Sequence, residues 1–283
     1  MKIQNPQPLQ LLQPYLPLRT NGYQRMIENN YGISHFYEFQ VQSSKKCDLQ
    51  AVPDGSVDLL FAINEKQVHA LIGGTVLQAK AWKLPEDSLY FGIRFFPGQC
   101  ILPADLKIEE IIDADIDISD EPFIRKLSKQ LMETRTAKER SALFRKYYQK
   151  EFLGNNDKSA SAMLEPYIRK RIYETRGTIR MKELAEESGY SSCYIRRIFS
   201  GIHGVAPKTF EKFVRFQHLL GYLTNQIQSS EAICLDMGEI ALEYGYSDQP
   251  HMIHEFKNCT GITPEAYMHL VSMCLRNSTS TKH

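Results

Sequence analysis

An internal repeat in the last third of the chain constrains its fold more than any other feature. Met181, Leu184, Ala185, Gly189, Tyr190 and Ser191 recur 56 residues later as Met237, Ile240, Ala241, Gly245, Tyr246 and Ser247. The offset then becomes 57, so that Ile195, Phe199, Gly204 and Pro207 recur as Met252, Phe256, Gly261 and Pro264. The change of offset predicts one extra residue just inside the third element of the second copy. Ten shared positions mark a supersecondary unit used twice.

Each repeated position has a physical task. Leu184 and Ala185 face inward on a first helix, where the small Ala185 lets a second helix cross closely. Gly189 supplies the positive φ of a sharp turn at the helix end. Ser191 then caps a second helix, which buries Ile195 and Phe199, four apart on one face. In the second copy Ser247 is expected to cap, Asp248 suits the positive helix end, and Pro250 is tolerated in the first turn. Helix, glycine turn and short capped helix make the helix-turn-helix pattern, whose second helix enters the major groove.

The free face of the first such helix offers Ser192, Cys193, Arg196 and Arg197; that of the second offers Gln249, Pro250, Ile253 and His254, with Lys257 at its end. Arg reads guanine or holds phosphate, Gln reads adenine, and Ile packs on a thymine methyl. The second helix is less basic, so the first is expected to carry more specificity. Between the units, Lys208–Leu223 reads as a helix led by Pro207, burying Phe210, Phe213, Val214, Leu219, Leu220 and Leu223. At 1.5 Å per residue it spans about 24 Å. Side-chain offsets bring the two reading helices towards the roughly 34 Å between successive major grooves on one DNA face.

Bulk charge adds nothing to this reading. The net charge is +1, with 19 residues of each sign up to Asn155 and 15 basic against 14 acidic beyond it. The case for nucleic acid rests on local placement of cations. The six cysteines (Cys47, Cys100, Cys193, Cys234, Cys259, Cys274) form no CxxC, so neither zinc nor a redox pair is expected. No apolar stretch suits a signal peptide or a membrane span, which makes a reducing cytoplasm the expected location.

The remainder of the chain divides by pattern. Residues 1–30 read as an irregular lead-in, interrupted by Pro6, Pro8, Pro14 and Pro17. From Tyr31 to Pro103 the chain reads as β: His35–Val41, Val57–Ile63, Val68–Ile72 and Leu89–Phe95, the last alternating Phe91, Ile93 and Phe95 against Tyr90, Gly92 and Arg94. Pro53-Asp54-Gly55, Gly73-Gly74, Pro85-Glu86-Asp87 and Pro97-Gly98 punctuate these runs. Ser119-Asp120 is expected to cap a helix with Phe123, Leu127, Leu131 and Met132 as its stripe. A second helix carries Leu143, Phe144, Tyr147 and Tyr148. This helical pair either covers the β domain or forms a dimer contact. Gly154–Ser159 is the linker candidate.

The expected fold class is α+β: a β-rich, sandwich- or barrel-like N-terminal domain with a helical pair, followed by an all-α C-terminal domain with two helix-turn-helix units. The boundaries are 1–118 for the β-rich sensing domain, 119–153 for the helical pair, 154–163 for the linker, 164–272 for the double unit and 273–283 for a tail.

The segments MKELAEESGYSSCYIRRIFSGIHGVAPKTF and MGEIALEYGYSDQPHMIHEFKNCTGITPEAYM resemble the AraC/XylS family of bacterial transcription regulators, over roughly Leu164 to Val271. The resemblance implies binding of double-stranded DNA in adjacent major-groove segments and recruitment or hindrance of RNA polymerase. It places the base-facing positions on Ser192, Cys193, Arg196 and Arg197, then Gln249, Pro250, Ile253 and His254. His254 stands where many relatives carry a basic residue, which implies a weaker or pH-dependent contact. VPDGSVDLLF (Val52–Phe61) and FGIRFFPGQ (Phe91–Gln99) resemble the β-rich domain of a subgroup of these regulators and imply a sensing or dimerising role.

Asp54, Asp58 and Arg94 are the charged residues of those two N-terminal motifs. They either line a ligand pocket or serve structure, with Asp54-Gly55 as a turn and Asp58 paired to Arg94 across strands. Inward aromatics motivate a small apolar or amphipathic effector inside the β shell. No metal or cofactor is expected: the first 155 residues hold only His35 and His69, and no GxSxG, P-loop or GxGxxG occurs. The chain is therefore not expected to be an enzyme. A DNA-repair protein delivering a reactive cysteine on a similar module would want several N-terminal cysteines, and only Cys47 and Cys100 are there. An enzyme whose helical tail merely packs against it, and a purely structural repeat, are the other rivals.

Overall fold

The computed structural model describes residues 11–41, 49–82, 84–86, 88–103, 105–152, 161–228 and 236–280. The expected linker Gly154–Ser159, and the residues Pro6, Pro8, Cys47, Asp87 and Cys234, lie outside them. A short helix α1 (Tyr15–Arg19) precedes eight strands: β1 (Asn21–Ile27), β2 (Ile33–Gln40), β3 (Leu49–Ala51), β4 (Val57–Ile63), β5 (Val68–Gly73), β6 (Lys80–Trp82), β7 (Leu89–Phe95) and β8 (Asp115–Asp117). A 3-10 turn, Ile108–Ile111, precedes β8. Helices α2 (Pro122–Leu131) and α3 (Ala137–Phe152) form the expected pair. Seven helices follow: α4 (Ser161–Glu174), α5 (Met181–Ser188), α6 (Ser192–His203), α7 (Pro207–Gln228), α8 (Met237–Glu243), α9 (Gln249–Thr260) and α10 (Pro264–Ser280). Among the described residues no helix is long and apolar enough to cross a membrane.

The main sheet is antiparallel, in the order β1-β2-β7-β4-β5-β8, with β3 and β6 as a separate pair. It is buried on both faces, because strand alternation sends two sets of large side chains in opposite directions. One face presents Phe36, Leu59, Phe61, Phe91, Ile93 and Phe95 to Ile124, Leu127 and Leu131 of α2 and to Phe144 and Tyr148 of α3. Phe144 meets Phe36 edge-on at 6.0 Å, and Tyr148 lies 5.5 Å from Phe95. The buried Arg140 Nε donates to Glu38 Oε2 at 2.8 Å and ties α3 to β2. The helical pair thus covers the sheet.

The opposite face presents Tyr37, Phe39, Leu60 and Tyr90 to α1 and to the C-terminal helices. One apolar cluster joins these side chains to Phe216, Leu219, Leu220 and Leu223 of α7 and to Met252, Phe256 and Tyr267. Gln217, buried in α7, fastens the seam. Its Oε1 accepts from the Leu12 amide at 2.8 Å, while its Nε2 donates to Leu12 O and Pro53 O at 3.2 and 2.9 Å. Such buried polar groups hold position because each unmade bond costs roughly 1–3 kcal/mol.

Three sequence expectations are corrected here. The described part of residues 1–30 is ordered as α1 and β1. Pro14 caps α1 and Pro17 lies in its first turn, where its missing N–H costs nothing. Strand β1 is an exposed edge, so it lacks an apolar alternation, and it is held by pairing with β2 from Gln24↔Glu38 to Ile27↔His35. Ser119-Asp120 does not cap α2: Ser119 Oγ accepts from the Ala70 amide at 2.9 Å, Asp120 pairs with Arg125, and Glu121 stands at the cap without a side-chain bond. The buried stripe of α2 is Ile124, Leu127 and Leu131, while Met132 is exposed.

Burial also leaves basic groups neutral. His35, on β2, is held down at about 3 by desolvation, helped by Arg94 and Arg25; burial takes His218 to about 4. Each therefore binds its proton less well in the folded chain than in the unfolded one. Nothing is lost above about pH 6.5. As pH falls from 6.5 towards 3 the His35 contribution costs up to about 1.4 kcal/mol per pH unit. Asp58, pushed up to about 6 by burial, works in the opposite sense. Comparing wild type with His35→Gln isolates the histidine: the variant should lose less Tm between pH 6.5 and 4. Parallel Tm curves for the two proteins would refute this assignment.

Candidate nucleic-acid interface

The two repeat units fold as the spacing predicts, with one correction. Helix α5 ends at Gly189 with φ 75°, and α8 is followed by Gly245 with φ 79°. A side chain at either position would force a conformation that L-residues avoid. Ser191 caps α6 by accepting from the Tyr194 amide at 3.2 Å. The cap of α9 is Asp248, not Ser247: Asp248 Oδ1 accepts from the His251 amide at 2.8 Å, and Ser247 Oγ braces Asp248 and His251 Nδ1. Ser191 therefore corresponds to Asp248, and the extra residue lies in the turn before α9 rather than inside the helix. From there the match continues. Gly204 and Gly261 end α6 and α9 with φ 69° and 80°, and Pro207 and Pro264 open α7 and α10.

Both second helices bury one face and show the other. On α6, Ile195 and Phe199 are buried, Cys193, Arg196 and Arg197 are exposed, and Ser192 is half-buried. On α9, Met252 and Phe256 are buried, Gln249, Pro250, His254 and Lys257 are exposed, and Ile253 is half-buried. Asn258 Nδ2 and His254 Nε2 lie 3.1 Å apart one turn on. The nine candidate positions thus form two surfaces, one per unit. Helix α7 is longer than predicted, 22 residues and about 33 Å. Phe210, Phe213 and Val214 pack on the first unit, and Phe216, Leu219, Leu220 and Leu223 join the core shared with the sheet.

Sequence reading missed an aromatic platform at the start of α6, formed by Tyr190 in the preceding turn and Tyr194 in the helix. Tyr190 and Tyr194 stack at 5.2 Å, and the Arg197 guanidinium lies 5.0 Å above the Tyr194 ring. Because Tyr190 lies in the turn before α6, helical spacing gave no signal for this pair. The equivalent of Tyr190 behaves differently: Tyr246 is buried, with Arg215 over its ring at 4.9 Å, and Arg215 pairs with Glu255 at 3.2 Å. The two units share a backbone plan, and only the first shows its tyrosine to solvent.

The C-terminal ends of α6 and α9 are gripped by the β-rich domain. On α9, the Ala79 amide donates to Asn258 O at 3.0 Å and the Tyr15 hydroxyl donates to Thr260 O at 2.8 Å. On α6, a Cβ placed at Gly204 would lie 2.8 Å from the Ile112 side chain, and one at Gly98 would lie 2.7 Å from the His203 ring. His203 is buried and meets Glu165 Oε1 at 2.7 Å, with Arg169 Nε on the same oxygen at 2.7 Å. Burial keeps His203 neutral, so its Nε2–H donates to Glu165. Burial also pushes the Glu165 carboxyl upward, and its bonds to His203 and Arg169 outweigh that and hold it low.

The other candidate residues form an ion-pair group in the β-rich domain. Arg94 meets Asp54 at 2.6 Å and Asp58 at 3.3 Å, all three buried. Arg94 and Asp58 face each other across β7 and β4, and Asp54 turns back to accept from the Ser56 amide. Asp58 also accepts from Tyr37 at 3.0 Å and lines a cavity of about 320 Å³ with Leu60, Leu71, Trp82 and Asp115. Among the described residues no group of His, Cys, Asp and Glu is placed to hold a metal.

Two family models match the chain: a helix-turn-helix domain over residues 184–269, and a domain of unknown function (DUF6597) over residues 31–117. No curated protein matches. Among solved structures, the C-terminal domain of AraT, a response regulator from Geobacillus stearothermophilus, is similar at 21% identity, covering 39% of this chain and 88% of that one, with a TM-score of 0.33. ToxT from Vibrio cholerae is similar at 11% identity, with 83% and 97% covered and a TM-score of 0.40. ToxT bound to an unsaturated fatty acid is similar at 12% identity, with 89% and 97% covered and a TM-score of 0.35.

The platform gives a direct expectation. Tyr194→Ala should lower affinity for duplex DNA by about two- to fivefold, since an exposed cation–π contact is worth roughly 0.5–1 kcal/mol. Tyr194→Phe should bind as wild type does. Fluorescence titration of one duplex reads both, and equal affinity of Tyr194→Ala and wild type would remove Tyr194 from the interface.

Proposed function

We propose, for a chain whose C-terminal third belongs to the AraC/XylS family of helix-turn-helix regulators, that it grips a promoter by laying α6 and α9 into two successive major-groove segments. The observation that carries this reading is the pair of equivalent exposed helix faces, capped and terminated alike and separated by the 22-residue α7. Arg196 reads a base edge, and Arg197, steadied by Tyr194, reads a second base or holds a phosphate. Ser192 and Cys193 approach the groove wall from the first turn of α6. In the second unit Gln249 reads adenine, Pro250 and Ile253 pack on thymine methyls, His254 contacts a base edge or phosphate, and Lys257 holds a phosphate.

The first unit, with two exposed arginines, carries more of the specificity, and the second anchors the register. RNA polymerase is the partner that such a complex recruits or obstructs. The β-rich domain controls the grip, because it holds the ends of both reading helices and changes in it reach them without crossing a flexible joint.

Selection of bound duplexes from a random pool tests the reading. A two-part site should emerge, and affinity should fall steeply between about 50 and 200 mM salt as phosphate contacts release counterions. Arg196→Ala should cost about 1–3 kcal/mol on the selected site and relax preference at one base position. Absence of duplex binding at low salt would overturn the proposal.

A further inference from the structure

The face of the sheet turned towards α2 and α3 is not completely filled. A cavity of about 370 Å³ lies between β4, β5 and β7 on one side and the start of α2 on the other. That size falls in the range of small-molecule sites. Its walls are apolar: Leu59, Ile72, Phe95, Ile118 and Ile124 form the deep part, and Ile101 stands at the rim with 41% of its surface exposed. The charged residues that line it are Asp105 and Glu121, and both are acidic. The cavity lies outside the β shell, on the opposite face of the sheet from the Arg94 group.

The wall of this cavity is also the support of α6. Cys100, Ile101, Pro103 and Asp105 line it. The same stretch begins at Gly98, against His203, and ends at Ile112, against Gly204. Both contacts fall on the last residues of α6. One segment therefore lines the cavity in its middle and touches the first reading helix at its two ends.

We infer that this cavity is an effector site for a compact apolar amine, whose body fills the Leu59–Phe95–Ile124 pocket and whose ammonium group faces Asp105 and Glu121. Binding there shifts the segment that props α6 and so changes the grip of the first unit on DNA. A carboxylate of the same shape would meet two like charges with no lining cation to offset them. The coupling to DNA rests on the function proposed above; the binding site does not.

The test uses the full chain and three probes of one shape: 4-phenylbutylamine, 4-phenylbutanol and 4-phenylbutyrate. Calorimetry should rank the amine first and the carboxylate last, at least about tenfold apart, because like-charge juxtaposition is strongly unfavourable. Asp105→Asn with Glu121→Gln should bring the amine down to the alcohol. Ile101→Trp, at an exposed rim position that spares the core, should block all three. The amine should change affinity for a selected duplex at least about fivefold, the lower end of the usual range of coupling energies. Ile112→Ala should bind amine normally and lose that change. Preference for the carboxylate, undiminished binding by Ile101→Trp, or no saturable binding by a chain that does bind DNA would each overturn the site. An amine effect on DNA that survives Ile112→Ala would overturn the coupling. A chain that binds the amine but no duplex would sink the proposed function and leave the site standing.

Discussion

Helix α7 buries most of its surface, leaving Lys208, Lys212 and Asn225 exposed, and that constraint organises the molecule. Its first turns pack on the helices of the first repeat unit, its later turns on those of the second, and its flank on the face of the sheet that carries Tyr37 and Phe39. Gln217 adds direction to this apolar contact, since its amide fits only where Leu12 and Pro53 present their backbone groups. Burial supplies most of the stability, being roughly proportional to apolar area removed from water. The amide bonds fix the register at which that burial occurs.

Local chemistry was legible wherever one residue type has one physical use. Gly189, Gly204, Ser191, Pro207 and Pro264 sit where the repeat put them, and β4 and β7 have the bounds that their apolar runs suggested. The cap of α9 was misread because Ser247 and Asp248 are both good caps and only geometry chooses between them. Strand β1 was missed because an edge strand owes its structure to a neighbour's unpaired backbone and leaves little trace in its own side chains. The pairing of Asp58 with Arg94 was legible as one of two options. Burial of the whole group, including Asp54, needed the fold.

The seam between the two halves was the least visible part. Its apolar residues read as the inside of a strand or the inside of a helix, and nothing in the sequence distinguishes a private core from a shared one. Its polar contacts join residues far apart in the chain: Tyr15 with Thr260, Ala79 with Asn258, Leu12 with Gln217. No local pattern encodes such pairs. The candidate positions on α6 and α9, by contrast, follow from helical periodicity alone. The Tyr190–Tyr194 platform does not, because Tyr190 lies in the turn before α6 and only the folded turn stacks it on Tyr194.

Because the β-rich half holds the far ends of α6 and α9, the proposed grip on DNA would work as a caliper with its jaws locked. Adding one base pair between the two halves of a binding site rotates the second groove segment by about 34–36° about the DNA axis. A reader on a slack tether would follow that rotation. In the proposed complex α6 and α9 are braced from behind, so the mismatch would fall on the duplex, which would have to twist or bend to meet them. The cost then depends on how pliable the intervening base steps are, even where no side chain touches them. Site choice would in this way register the spacing and stiffness of the DNA as well as its letters.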